Sequence, residues 1–306
     1  MFTIYLYQYG PAAVGLLVAL GVAFVRRRLR VPLPKGARLA TAIGVTIALG
    51  CLIAFSTWSA FSTWVPSFGE DTFLVLMRAG YLAPLVLSAV ALLFLVVPVP
   101  TSGPPGSAAL APRTVLTFAS RRWLAATAGA VVAIVAIALL AGLGSSPDQA
   151  GRYVLYEVRP SSNTSASTTI YGWWFSLPSL IAVAIVVAIA LLGMVVISRP
   201  ALAADAQHDT AIRKARVRNI LAVSTGGILL HLGTVLRSLY GASTLRAGFP
   251  AGQAGWVELG TSFAAIGPAL LVTSFVTGIL GIAMWWYVLL SVLPVRTRQP
   301  SEPAVT

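Results

Sequence analysis

Apolar residues recur in seven stretches bounded by charges, prolines and aromatic belts, near residues 5–25, 37–57, 73–97, 122–144, 172–197, 218–240 and 262–293. A helix needs about 20 mostly apolar residues to cross the hydrocarbon core of a bilayer. The pattern therefore predicts an all-α, polytopic bundle of seven transmembrane helices in one domain. Before the first stretch there is no basic region, and Arg26, Arg27, Arg28 and Arg30 follow it, so it reads as an uncleaved reverse anchor. The last is awkward: Glu258 to Leu293 is too long for one span and too short for two, and Gly267 and Pro268 predict a kink, with the preceding segment projecting outward or lying at the interface.

Between the spans the loops are short. Residues 98–120 are rich in Pro, Gly and Ser and read as a flexible cytoplasmic connector. Residues 145–171 form the longest outer loop, where RYVLYEV alternates enough for a short strand and SSNTSASTT reads as a polar turn. At 199–218, Asp205, Asp209, Arg213 and Arg216 can pair at helical spacing, predicting an interfacial amphipathic helix before span six; its charge serves either topology or a cytoplasmic or lipid partner.

Charge sets the orientation. Segments 26–38, 98–122, 198–218 and 294–306 hold 16 of the 21 Lys and Arg residues. They alternate with basic-poor loops, as the positive-inside rule requires of seven spans with the N-terminus outside and the C-terminus in the cytoplasm. Composition agrees: 58% of the residues are hydrophobic, only 9% are charged and the mean hydropathy is +0.87. That excludes soluble enzymes, and the net charge of +13 becomes a topology signal with no nucleic-acid partner implied. Only Lys35 and Lys214 are lysines, a bias of high-G+C coding that points to a bacterial plasma membrane.

Spans one to three and five to seven share orientation, with span four inverting between them. Tyr9-Gly10 echoes Tyr171-Gly172, and LVVPV echoes SVLPV, suggesting a three-plus-one-plus-three parallel repeat. In topology, and in no motif, this is similar to the SWEET and PQ-loop families, whose halves are parallel repeats.

Charged groups inside a bilayer are costly and by default functional. No Asp or Glu lies near the middle of a span and no span contains Lys, which argues against carboxylate-driven pumps, aspartyl intramembrane proteases and retinal proteins. His231 alone of the two histidines is embedded, so a bis-histidine haem is excluded; neither a serine-hydrolase elbow nor a Walker A sequence occurs. No enzyme, cofactor or metal site is expected.

What polar chemistry remains sits on two stripes. On span six, Ser224, Gly227, His231, Thr234 and Ser238 recur every three or four residues; on span seven, Thr273, Thr277 and Gly281 do the same. They either line a polar pathway in which His231 binds solute or relays protons, or they permit close helix contact with His231 in one interhelical hydrogen bond. Arg78 and Arg237, near the outer ends of spans three and six, either snorkel to the interface or form an outer vestibule that attracts anions, with Arg246. Ala125, Gly129 and Ala133 make a small-residue face on span four that suits packing with another helix, in this chain or another membrane subunit. The leading expectation is a membrane component of a small-solute transport or envelope system, with its cavity between spans three, six and seven. The alternative is a non-transporting accessory subunit of a larger membrane complex.

Overall fold

The structure, a computed structural model, describes residues 2–25, 31, 33–62, 69–97, 117–161, 164–198, 206–250 and 255–293. Among them are seven α-helices: α1 (Phe2–Val25), α2 (Lys35–Ser62), α3 (Glu70–Val96), α4 (Arg121–Leu143), α5 (Trp173–Ser198), α6 (Ala206–Ser243) and α7 (Gly267–Ser291). Six of them, α2 to α7, are long and apolar enough to cross a membrane; α1 is apolar over Tyr9–Val25, where its side chains are described. Outward-facing Leu17, Phe24, Leu140 and Leu143 are each at least two-thirds exposed. An apolar surface of that extent suits lipid and not water.

Strands are also present, which an all-α reading leaves out. β1 (Ser146–Pro147), β2 (Tyr153–Ser161) and β3 (Thr164–Thr169) form an antiparallel sheet between α4 and α5. β4 (Arg246–Pro250) and β5 (Trp256–Gly260) form a hairpin between α6 and α7. The predicted strand is thus β2, but the Ser/Thr-rich run read as a turn is largely β3, paired from Leu155↔Thr169 to Val158↔Ala166. β-branched threonines suit an extended, half-exposed strand once a partner supplies the ladder. The two sheets meet at one end of the bundle, where the Tyr156 and Ser262 hydroxyls are 2.9 Å apart and Tyr156 stacks edge-on against Phe263.

Segment 256–268 resolves the overlong last stretch. β5 takes its first part, a 3-10 turn (Ala264–Ile266) follows, and α7 starts at Gly267 with Pro268 in its first turn. Pro268 therefore starts the helix and does not kink it, because at that position its missing N–H has no partner to lose. Most of the 98–120 connector lies outside the described residues; Phe118, near its end, is buried.

Helix α6 is the axis of the fold. Of its apolar window 83% is buried, against 22–39% for the other long helices. Lipid does not dictate the composition of a helix walled by protein, so α6 can carry polar groups that its neighbours satisfy. Its approach to α7 is backbone to backbone: a side chain at Gly226 would meet the Gly281 carbonyl at 2.9 Å, and one at Gly281 would meet the Gly226 carbonyl at 2.7 Å. The Val223 carbonyl accepts hydrogen bonds from Ser88 on α3 and from the Trp285 indole on α7, both at 3.0 Å. Thr225 meets Thr127 of α4 at 2.7 Å.

The first turns of α6 replace the predicted interfacial helix. Asp205 lies outside the described residues, but Asp209 and Arg213 form a buried pair, Nε donating to Oδ2 at 2.9 Å. The Arg213 guanidinium also donates to the Ile197 carbonyl near the end of α5 (2.7 Å). Arg216 donates to the Leu95 and Val97 carbonyls at the end of α3 (3.0 and 2.9 Å). The last carbonyls of a helix have no partner within it and carry partial negative charge. Two arginines thus cap two neighbouring helices and hold α6 at their ends.

Arg213→Ala, which leaves Asp209 buried and loses the Ile197 contact, is expected to cost about 3–5 kcal/mol. Replacing both by apolar residues (Asp209→Leu with Arg213→Met) is expected to cost clearly less. Thermal unfolding in a mild detergent measures both, and a double variant as unstable as the single one would contradict the buried-pair account.

Candidate functional site

His231 lies fully buried near the middle of α6, between α3 and α5. Its Nδ1 is 2.8 Å from the Tyr81 carbonyl, and its Nε2 is 3.2 Å from the Tyr171 hydroxyl. A carbonyl only accepts, so Nδ1 carries the proton and Nε2 accepts from Tyr171. Pro84 in the next turn of α3 lacks the N–H that would pair with the Gly80 carbonyl, and the neighbouring Tyr81 carbonyl, which has two lone pairs, accepts from His231. The Tyr81 hydroxyl donates to Ser238, about two turns further along α6 (2.6 Å). Tyr81 packs edge-on against Tyr171 and Phe175 at 4.9 and 5.2 Å, which closes the cluster with aromatic surface. Both ring nitrogens of His231 are therefore engaged by protein within a packed core.

The other stripe residues disperse. Ser224 is buried and bonds back to the Ile220 and Leu221 carbonyls. Thr277 is buried at the α6–α7 seam opposite Gly233, its hydroxyl bonding the Thr273 and Ser274 carbonyls. Thr273 itself has an exposed side chain. Gly227 gives α3 a close approach at Ser88. Only His231 and Ser238 are brought together, through Tyr81.

Thr234 faces elsewhere, into a cavity of about 180 Å³. Tyr9 of α1, Ser56 of α2, Pro84 of α3, Thr234 and Arg237 of α6 and Ser274 of α7 are among its lining residues. Its walls come from α1, α2, α6 and α7, with α3 contributing Pro84. Near its rim the Tyr9 hydroxyl donates to Thr57 at 3.0 Å. Arg237 is the one charged residue in the lining, half-buried with its guanidinium 5.4 Å from the Phe275 ring. Arg78 lies against a different helix, 4.8 Å over the Trp174 ring of α5. The two vestibule arginines thus stack on different elements, and Arg246 opens β4 opposite Gly260.

Beside Arg78, Arg152 approaches the same Trp174 ring and joins Asp148 (2.7 Å) to Asp71 at the start of α3 (2.6 Å). Burial would raise the Asp148 carboxyl, but hydrogen bonds from Arg152 and from the Ala150 backbone outweigh it and hold it below the usual carboxylate range. This network ties the β1–β3 sheet end to α3. Among the described residues, no three His, Cys, Asp or Glu side chains come together as a metal site.

Sequence reasoning missed Tyr81 and Tyr171. One signal is present: a mid-helix Tyr about one turn before a Pro brings a hydroxyl that needs a partner to a disturbed stretch of helix. The sequence matches no family model, no curated protein matches it, and no solved structure matches the fold. Function must therefore be argued from the site.

Tyr171→Phe removes the donor to Nε2 and is expected to lower stability by about 1–3 kcal/mol, whereas Thr273→Val on the exposed face should change it by less than about 0.5 kcal/mol. Thermal unfolding of both variants in the same detergent gives the comparison, and the reverse order would refute the lock.

Proposed function

We propose that this chain is a seven-span bacterial plasma-membrane protein that binds a small solute in the cavity beside Arg237, as the membrane component of a transport or envelope system. The N-terminus is outside and the C-terminus cytoplasmic in this reading, with α1–α3 and α5–α7 as parallel halves joined by α4. Support for the orientation comes from the arginines. Arg213 and Arg216 sit at the basic-rich end, while both sheets and the Asp71–Arg152–Asp148 network sit at the other. Cytoplasmic ends of membrane helices are the basic ones.

The observation that carries the solute-binding reading is convergence: one guanidinium and the hydroxyl-bearing Tyr9, Ser56, Thr234 and Ser274 surround one cavity, with no carboxylate in its lining. The hydroxyls of Tyr9, Thr234 and Ser274 donate to the Thr57 hydroxyl and the Leu230 and Leu271 carbonyls, so their protons are taken by protein and the guanidinium of Arg237 supplies the charged donor for a ligand's acceptor. Its volume lies below the ~300–1,000 Å³ of drug-sized sites, so a small anion or a compact hydrogen-bond acceptor suits it. His231 plays a positioning part, fixing α6 against α3 and α5.

A second reading, an accessory subunit, draws on α4, where Ala125 and Gly129 are exposed and a side chain at Gly129 would meet nothing within 4 Å. That face accepts another membrane helix.

The test is a thermal-shift panel of small carboxylates, sulfate, phosphate and neutral polyols on the detergent-solubilised protein and its Arg237→Leu variant. At least one compound is expected to raise the unfolding temperature of the wild type and not of the variant. If none does so, or if both proteins respond equally, solute binding at Arg237 is rejected and the accessory reading gains.

A further inference from the structure

At the end of the bundle opposite the sheets, a cleft of about 670 Å³ opens between the start of α4 and the first turns of α6. Three basic residues line it, Arg122 from α4 and Lys214 and Arg218 from α6, and no acidic residue does. The nearby carboxylate of Asp209 is engaged by Arg213. Lys214 and Arg122 are exposed, while Arg218 is half-buried with its guanidinium 5.4 Å from the Tyr287 ring. The Arg218 Nε is buried and has no hydrogen-bond partner among the described residues. A buried donor of that kind costs free energy unless a ligand or water takes it.

Helix α4 adds a second, independent sign. Helix starts favour acidic residues, because the first N–H groups point outward and carry partial positive charge. Here the first two residues are Arg121 and Arg122, no acid occupies the first turn, and the Ser120 side chain makes no capping bond. Positive side chains on a positive helix end oppose one another until an anion joins them. Trp123, also in the cleft wall, is a residue that settles at headgroup level.

We infer that this cleft is a binding site for a phosphate group, presented at the membrane surface by an anionic lipid headgroup. Arg122 and Lys214 meet the phosphate from its open side. Arg218 reaches it from beneath, and the α4 N-terminus supplies backbone donors. The cleft uses an earlier stretch of α6 than the Arg237 cavity and shares no lining residue with it, so it stands or falls separately from solute binding there.

The whole chain, purified in a mild detergent, is titrated with phosphatidylglycerol, with phosphatidylcholine, or with inorganic phosphate at constant ionic strength, and thermal unfolding is followed. Phosphatidylglycerol is expected to stabilise the wild type at lower concentration than phosphatidylcholine. The K214Q/R218Q variant should need about tenfold more or beyond. A control with equal charge loss outside the cleft, K35Q/R38Q, should respond as the wild type. Equal protection by inorganic phosphate would support the same site with a free ion as its source. The proposal fails if the two lipids act alike, or if K35Q/R38Q weakens the response as much as K214Q/R218Q does. Should K214Q/R218Q not fold, R122Q compared with K35Q decides it: a weaker phosphatidylglycerol response in R122Q alone supports the site, and equal responses overturn it.

Discussion

A hydrogen-bonding group inside a bilayer has no water to turn to, so each must be satisfied by protein. In this chain that constraint concentrates on α6. It contributes an imidazole, a buried ion pair, a capping arginine and several hydroxyls to a core whose other helices are mostly hydrocarbon. The neighbours answer with what they have to spare: carbonyls at the ends of α3 and α5, a carbonyl before the α3 proline, the Tyr171 hydroxyl and the Trp285 indole. Each bond contributes modestly, about 0.5–1.5 kcal/mol net and more where a charge takes part. Their larger effect is on register, since sliding α6 by one turn would break bonds to four helices at once, α3, α4, α5 and α7, and bury the orphaned groups.

The two ends of the bundle differ because different polar devices close them. At one end the connections are long enough for strands, and two small sheets joined through Tyr156 cover the helix ends. At the other, α6 runs on past its apolar part, and among the described residues Arg213 and Arg216 tie the ends of α5 and α3 to it. A 38-residue helix is about 57 Å long, well beyond the ~30 Å hydrocarbon core. Its basic extension is therefore available to the neighbouring ends of α3 and α5 and to the cleft beside α4. The Arg237 cavity lies toward the sheet end, off the locked face of α6.

Helix positions were largely legible in the apolar runs, because lipid-facing composition is set by the solvent and needs no knowledge of partners. Legibility failed where partners matter. Residues 199–218 read as an interfacial amphipathic helix, since sequence spacing shows that Asp209 and Arg213 can pair but not that two helix ends stand waiting beside them. Thr164–Thr169 read as a turn because strand formation there depends on β2. The polar stripes were real as spacing, yet a stripe does not say which neighbour it meets. His231 and Ser238 meet Tyr81, Thr277 meets Gly233, Thr234 borders the cavity with its hydroxyl on the Leu230 carbonyl, and Thr273 is exposed. Arg237 was picked out by charge alone, and only the fold adds the hydroxyl groups around it.

Helix α6 presents a protein-satisfied face at Ser224 and His231 and, at Thr234, a face that borders a cavity. Thiol accessibility tests it directly. In a Cys51→Ala background, single-cysteine variants Thr234→Cys and Ser224→Cys are reconstituted in vesicles and treated with a membrane-impermeant thiol reagent from either side. The account predicts that Thr234→Cys reacts, from the sheet-bearing side only, and that Ser224→Cys does not react from either side. Modification of Ser224→Cys, or an unreactive Thr234→Cys in a folded protein, would contradict it.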